Sequence, residues 1–432
     1  MHALILAAAQ VFIAAADLPP VDESALFGDT NQVVDSATRA AAPGDTAGRK
    51  SLGISGDILA FGSETAPRGY FGDFDAARVS QSAGAIGDAY LDARLLRGFR
   101  AYANLEWDLD ATHGDSAAFR VPETFLDANI GQKAWFRVGK QVLQWGPGYF
   151  FNPTDLINVE RKALVRRLGA REGVFGAKVH VPFGTRANLY GFLDANRVSR
   201  SDSLSGAVKA EFLAGRSEMA VMAWGGGNRD PVYGADLSTR LLGLDWVAEA
   251  ALHSSLRTQG LSVAGGLPAL TQTRRDWQPR VSVGAGRGFD AGGVPDRLTL
   301  TGEYYYNHPG SDARRMPFAS LLGQATAAGF TPEQALAAAA AFGAYEPNSY
   351  SRNYAAAFAI WNRFFRSDLT LSGSALINLD QASALLAGVL AYRDINDFGL
   401  SLTVYEFAGP RGTEYTLASD GLEVQVLAEA PF

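Results

Sequence analysis

The sequence has no cysteine in 432 residues. That excludes disulfide scaffolds, thiol catalysis and cysteine-ligated zinc or iron–sulfur sites. Charge is scarce: Asp, Glu, Lys and Arg make up 19% of the chain, below the usual ~25%. Positive charge is not in excess, the formal net charge being −7, so nucleic acid is not an expected partner. The five histidines, His2, His113, His180, His253 and His308, never fall at metal-ligand spacing, and no metal site or cofactor is expected from them. No stretch reaches about 18 consecutive apolar residues, so no helix is expected to cross a membrane. No G-x-S-x-G motif accompanies His180 or His253, and Ser254 beside His253 reads as a loop-edge pair, so no enzyme is expected. Gly284-x-Gly286-x-Gly288 sits in an alternating segment with no helix after it, which removes the dinucleotide reading.

What is present is a fine mixture of opposites. Hydrophobic residues are 47% and aromatics 11% of the chain, yet the mean hydropathy is −0.03. The 47 glycines amount to about 11%, against a usual ~7%. Apolar and polar residues must therefore be interleaved at short period.

The amino-terminal segment is separate from this pattern. Residues Leu4 to Ala16 form an apolar run ending in Ala14-Ala15-Ala16 before Asp17. This reads as a secretory signal peptide over 1–16, although its n-region, Met1-His2, carries no Lys or Arg. A buried amino-terminal helix is the alternative. Residues 17–50 read as a flexible leader on the periplasmic side, and 51–432 as one folded unit.

From about Leu52 the period is two, the mark of strands with two unlike faces. Phe99, Ala101, Ala103, Leu105, Trp107 and Leu109 share one face; Arg100, Tyr102, Asn104, Glu106 and Asp108 share the other. Leu298 to Tyr306, Leu369 to Ile377 and Phe398 to Val404 repeat the pattern. The segments are about ten residues long, the length a tilted strand needs to cross a hydrocarbon layer. About eighteen candidates can be counted, with 62–84 and 288–296 ambiguous. Short connections fall near 96–98, 132–133, 182–185, 215–216, 242–244, 362–367 and 394–396. Longer ones fall at 111–118, 144–172, 196–204, 226–231, 255–275, 307–350 and 408–420. Short turns on one side and long loops on the other, with apolar-out and polar-in alternation, predict an all-β, antiparallel up-and-down transmembrane barrel of 16–18 strands, best counted as 18, with short helices in long loops. A soluble sandwich with a solvated polar face is the competing reading. The last residues, Leu422 to Phe432, alternate and end in Phe432. This resembles the terminal signal by which outer-membrane barrels are recognised by the barrel-assembly machinery.

One segment differs from its surroundings. Arg137-Val138-Gly139-Lys140-Gln141 runs through Trp145-Gly146 into Asn152-Pro153-Thr154-Asp155. It resembles an uncharacterised family of porin-like Gram-negative outer-membrane barrels, in which a strand reading R-x-G-x-Q-x-x-x-W-G precedes an N-P-x-D loop. The likeness covers about 40 residues. Trp145-Gly146-Pro147-Gly148 also resembles barrels that hold capsular polysaccharide. The resemblance implies location in the cell outer membrane more than it implies a substrate.

Arg137 and Gln141 fall on one face with Gly139 between them, and are expected to face the lumen. Leu156 to Leu168 has helical periodicity with Gly169 as a stop. Loop 144–172 is therefore expected to fold inward and narrow the lumen with a basic cluster of Arg161, Lys162, Arg166 and Arg167. Glu106 and Asp108, with Asp88 and Asp92, are expected on the opposing wall, giving a constriction with a transverse field. An external cap binding lipopolysaccharide is the alternative. In loop 307–350, Thr331-Pro332-Glu333-Gln334 has capping-box order before Ala335 to Phe342, and a second helix is expected over 318–328.

The expected function is a channel for passive diffusion of small polar or anionic solutes across the outer membrane, in contact with lipid and lipopolysaccharide. The alternative is a plugged surface barrel that binds or anchors polysaccharide or another surface partner.

Overall fold

The computed structural model describes residues 51–432, apart from 68–78, 97, 113–115, 144, 158–170, 197–203, 228, 265–266, 317–344, 367, 394–397 and 419–420. The signal-peptide and leader readings lie outside the described residues. So do the helices expected in 158–168, 318–328 and 331–342.

The chain forms a closed barrel of 18 antiparallel strands. In chain order they are β1 (Ser51–Pro67), β2 (Ser80–Leu96), β3 (Phe99–Asp110), β4 (Ser116–Ile130), β5 (Ala134–Gln141) and β6 (Val174–Phe183). Next come β7 (Ala187–Asp194), β8 (Ser205–Ala214), β9 (Ser217–Gly226), β10 (Arg229–Leu241), β11 (Leu244–Ala264) and β12 (Leu267–Ala291). The last six are β13 (Val294–Asn307), β14 (Asn353–Trp361), β15 (Leu369–Asn378), β16 (Ser383–Arg393), β17 (Gly399–Ala408) and β18 (Gly421–Pro431). Each strand pairs with its neighbours in sequence, and β1 closes the ring on β18. Closure leaves no unpaired edge, which a hydrocarbon layer demands.

Burial is inverted relative to a soluble protein. Leu126, Val138, Val208, Val221, Leu300 and Val426 are exposed on the outside, while the alternate residues Arg137, Lys209, Glu249, Glu303, Thr403 and Gln425 are buried inside. Water would not tolerate such an outer surface, whereas lipid tails would. Aromatic residues ring both ends of this band. Phe183, Phe212, Phe289, Trp361 and Phe398 mark the short-turn end, and Tyr233, Trp277 and Tyr304 mark the other. The solvated-sandwich reading is thereby removed, because the polar face lines the interior.

The turns explain several of the glycines. At 215 and 243 the backbone takes positive φ, at 67° and 73°, which glycine adopts without strain. Two sequence expectations about loops are corrected. The long loop expected at 226–231 is a tight turn, with β9 ending at Gly226 and β10 starting at Arg229. Positive φ at Gly226 and Gly227 permits it. The loop expected at 255–275 is instead strand: β11 and β12 stay paired from Ser255↔Asp276 to Ala264↔Leu267. The polar run Arg257-Thr258-Gln259 facing Gln272-Thr273-Arg274 hid the alternation, because this ribbon continues past the wall.

Candidate functional site

After β5 the chain turns inward over the described residues of 142–157. Leu143, Trp145 and Ile157 pack on Val174, Phe192, Met222 and Trp224, which face the interior from β6, β7 and β9. Phe150 and Phe151 reach a second interior cluster containing Tyr305, Tyr354, Leu376 and Tyr405, on β13 to β17. The loop tip thus lies eight strands round the ring from its origin on β5.

Two wall carboxylates hold it there. Glu303 on β13 accepts the N–H groups of Tyr149 (2.9 Å), Phe150 (2.8 Å) and Phe151 (3.0 Å). Glu249 on β11 accepts the N–H of Gly148 (2.6 Å), the N–H of Thr154 (3.1 Å) and the Thr154 hydroxyl (2.6 Å). Both carboxylates are almost fully buried. A buried acid is tolerated only when hydrogen-bonded, and here loop amides supply the donors. The Phe151 carbonyl also accepts the Ser282 hydroxyl at 3.2 Å.

Glycines make room for this docking. Gly146 has φ of 100°, and a Cβ there meets Thr154 Oγ1 and the Glu249 carboxylate. The Tyr149 ring lies over Gly284 and Gly286 of β12, whose added Cβ atoms stand 3.1 Å and 3.2 Å from it. The Gly284-x-Gly286 repeat is therefore a bed for a loop aromatic. Tyr149 also donates its hydroxyl to the Asp245 carbonyl at 3.2 Å.

The opposite arc, β2 to β6, carries charge at one level. Arg100, Asp127, Arg137 and Lys178 are direct register partners across β3, β4, β5 and β6, and all face the interior. Arg137 binds Asp127 through Nε (2.7 Å) and Nη2 (3.0 Å), with its guanidinium carbon 3.7 Å from the centre of the Phe125 ring. Arg100 bridges Asp92 (3.1 Å) and Asp127 (3.6 Å). Three cations against Asp127, with Asp92 at the edge, leave this row positive.

The predicted residues divide as follows. Arg137 faces inward but is sheathed by Asp127 and Phe125. Gln141 is fully buried, its amide reaching the Gly176 carbonyl at 3.4 Å, so it belongs to the wall and offers little to a solute. Glu106 and Asp108 stand on β3, two strands from Arg137 on the same arc. They do not oppose it, and Glu106 is ion-paired to Arg120 on β4. Period two fixed their face but not their position round the ring. The carboxylates that do lie across from β5 are Glu249 and Glu303. Arg161, Lys162, Arg166 and Arg167 lie outside the described residues. Among the described residues no three His, Asp or Glu side chains converge as metal ligands would.

Sequence reasoning missed Glu249 and Glu303. Each is an acid at an inward position of an alternating strand, Val247-x-Glu249-x-Ala251 and Thr301-x-Glu303-x-Tyr305, a pattern shared by other interior acids such as Glu106. It also missed a second inward element, the short helix α1 (Glu414–Ala418) between β17 and β18. Buried Glu414 accepts from Tyr354 Oη (2.7 Å), Asn348 N (2.8 Å), Asn378 Nδ2 (2.8 Å) and Tyr345 Oη (3.3 Å). Burial pushes its carboxyl above the ordinary 4.5, against the pull of these donors.

Three solved structures from Pseudomonas aeruginosa resemble this fold. OccK2 (OpdF), in complex with glucuronate, gives a TM-score of 0.51 at 10% sequence identity, covering 88% of this chain and 98% of its own. OccK8 (OprE) gives 0.52 at 9% identity, with 88% and 98% covered. OccK3 (OpdO) gives 0.50 at 11% identity, with 88% and 96% covered. At such identities the likeness is one of fold. No family model and no curated protein matches the sequence.

Proposed function

We propose that this protein is an outer-membrane channel for passive diffusion of small polar or anionic solutes. The short turns then face the periplasm, and the long loops face outward. The observation that carries the reading is the asymmetry of the interior. One arc is occupied by a loop pinned through Glu249 and Glu303, and the other presents the row Arg100, Asp127, Arg137 and Lys178. A loop pinned across the interior narrows the path through the ring. The net positive row then raises the local concentration of anions along that arc. Selectivity of this kind needs rings or rows of like charge rather than a catalytic group. The fold likeness to OccK2, solved with glucuronate, supports a carboxylate-bearing solute class.

Single-channel recording in planar bilayers tests the reading. Conductance with anion preference is expected from the refolded full chain. Absence of conductance sinks it and favours the plugged barrel instead.

A further inference from the structure

The outer face of β12 to β16 departs from the rest of the barrel exterior. On many other strands that face carries large apolar side chains such as Leu126, Val138, Val208 and Val221. Here Ala285, Gly302, Ala357 and Ala375 are consecutive register partners across β12 to β15. The next row toward the short-turn end reads Arg287, Leu300, Ala359, Gly373 and Gly388. The missing side chains leave an apolar groove of about 690 Å³, walled by Leu244, Phe289 and Leu300.

Arg287 stands at one end of this groove, exposed on the outward face. A cation on the lipid side of a barrel strand is costly unless its head reaches the interface. Arg287 lies five residues before the turn at Gly292, and its guanidinium lies beside the Gly243 turn, 3.7 Å from where a Cβ on that glycine would stand. Its guanidinium carbon lies over the Phe289 ring, 5.0 Å from the ring centre. The charge is therefore carried toward the short-turn end of the band, where the headgroups lie.

We infer that this groove binds an anionic phospholipid of the leaflet at the short-turn end, its acyl chain on the Ala/Gly floor and its phosphate on Arg287. The floor offers shape to a flexible tail, since Ala and Gly leave a smooth trough. Arg287 offers a forked donor set suited to phosphate oxygens, which lie at this depth in a bilayer. The inference needs the barrel in a membrane but does not need it to conduct.

The test uses the full-length folded barrel, native mass spectrometry, and phosphatidylglycerol against phosphatidylcholine. The wild type is expected to retain one phosphatidylglycerol under conditions that strip phosphatidylcholine. Arg287→Leu removes the phosphate ligand, and Ala357→Phe fills the floor. Each is expected to lower retention at least fivefold, with Arg287→Lys intermediate. All three should keep wild-type single-channel conductance and the heat-dependent gel migration of a folded barrel, which separates lost lipid from lost fold. Equal retention by wild type and both disabling variants overturns the inference. So does equal retention of the two lipids by the wild type, or a dimer mass whose yield falls with Ala357→Phe, which assigns the groove to a second copy. Loss of conductance with lipid retention intact would count against the channel reading and leave the lipid site standing.

Discussion

The carboxylate of Glu303 accepts the backbone N–H of Phe150 at 2.8 Å, tying a wall strand to the tip of a loop that starts on the far side of the ring. The two neighbouring amides, Tyr149 and Phe151, donate to the same carboxylate. A fixed anion that collects three successive N–H groups acts as a peg. Glu303→Gln keeps the shape but turns one acceptor into a donor facing an N–H. At about 1.5–3 kcal/mol for a hydrogen bond to a charged group, the docked loop should lose roughly that much. A larger and noisier single-channel conductance than wild type is expected. Unchanged conductance means that the loop does not limit the path.

Gly146→Ala attacks the same docking from the other partner. The added Cβ meets Glu249 and Thr154 at a φ that disfavours alanine. Limited proteolysis of the folded barrel should then cut within 142–157 in the variant and not in the wild type. Equal protection in both would mean that the Glu249 peg tolerates displacement.

Much of this architecture was legible in the sequence. Strand faces follow from period two, because a slip of one residue exchanges lipid-facing Val138 with interior-facing Arg137. Arg137 was therefore correctly placed inward. Its accessibility was not legible: Asp127 and Phe125, which sheath it, lie across the strand pair, and only register brings them together. Position round the ring was also hidden, since alternation looks the same on every strand. Glu106 consequently read as an opposing acid, although it stands two strands away on the same arc. The pegs Glu249 and Glu303 went unread for a related reason. A buried acid whose partners are backbone amides has no complementary residue type to reveal it.

The charged row predicts a graded selectivity series. Lys178 lies on the interior face as the register partner of Arg137, which is itself matched bidentately by Asp127. A unit charge at about 4 Å in water-like surroundings is worth about 1 kcal/mol, so Lys178→Glu should lower anion preference by roughly fivefold or more. Arg137→Ala should change it less. Asp127→Asn should raise it, because Arg137 loses its bidentate counter-ion and Arg100 loses one of its two, keeping Asp92. Reversal potentials in a salt gradient read all three. The opposite order would place the solute path away from this arc.

Glu414 carries a pH prediction. Its folded carboxyl is held above 4.5 by burial, so the folded state binds the proton more tightly than the undocked chain does. The contribution to docking is full below about pH 4.5 and is lost as pH rises through the raised folded value. Amide hydrogen exchange at 412–416 should therefore be slower near pH 4.5 than at neutral pH, after correction for intrinsic exchange. Glu414→Gln, neutral throughout, should flatten that difference. A variant that retains the wild-type pH profile assigns the dependence to another group.

Barrel closure rests on a small contact. Gly56 and Phe432 exchange backbone hydrogen bonds at 2.9 Å and 2.8 Å, sealing β1 against the chain end. The Phe432 ring lies on the outer face over Gly56, where an added Cβ would meet it and the Asp88 carbonyl. Gly56→Ala should thus displace the ring and lower the yield of folded barrel in refolding into lipid vesicles. Phe432→Ala should lower it too, through lost apolar burial on the lipid face. If the ring over Gly56 is what matters, the double variant should fall short of the sum of the two losses, because alanine at 432 frees part of the space that a Cβ at 56 needs. Strict additivity would mean that the two residues act independently, with Phe432 working through recognition of the chain end rather than through its seat on β1.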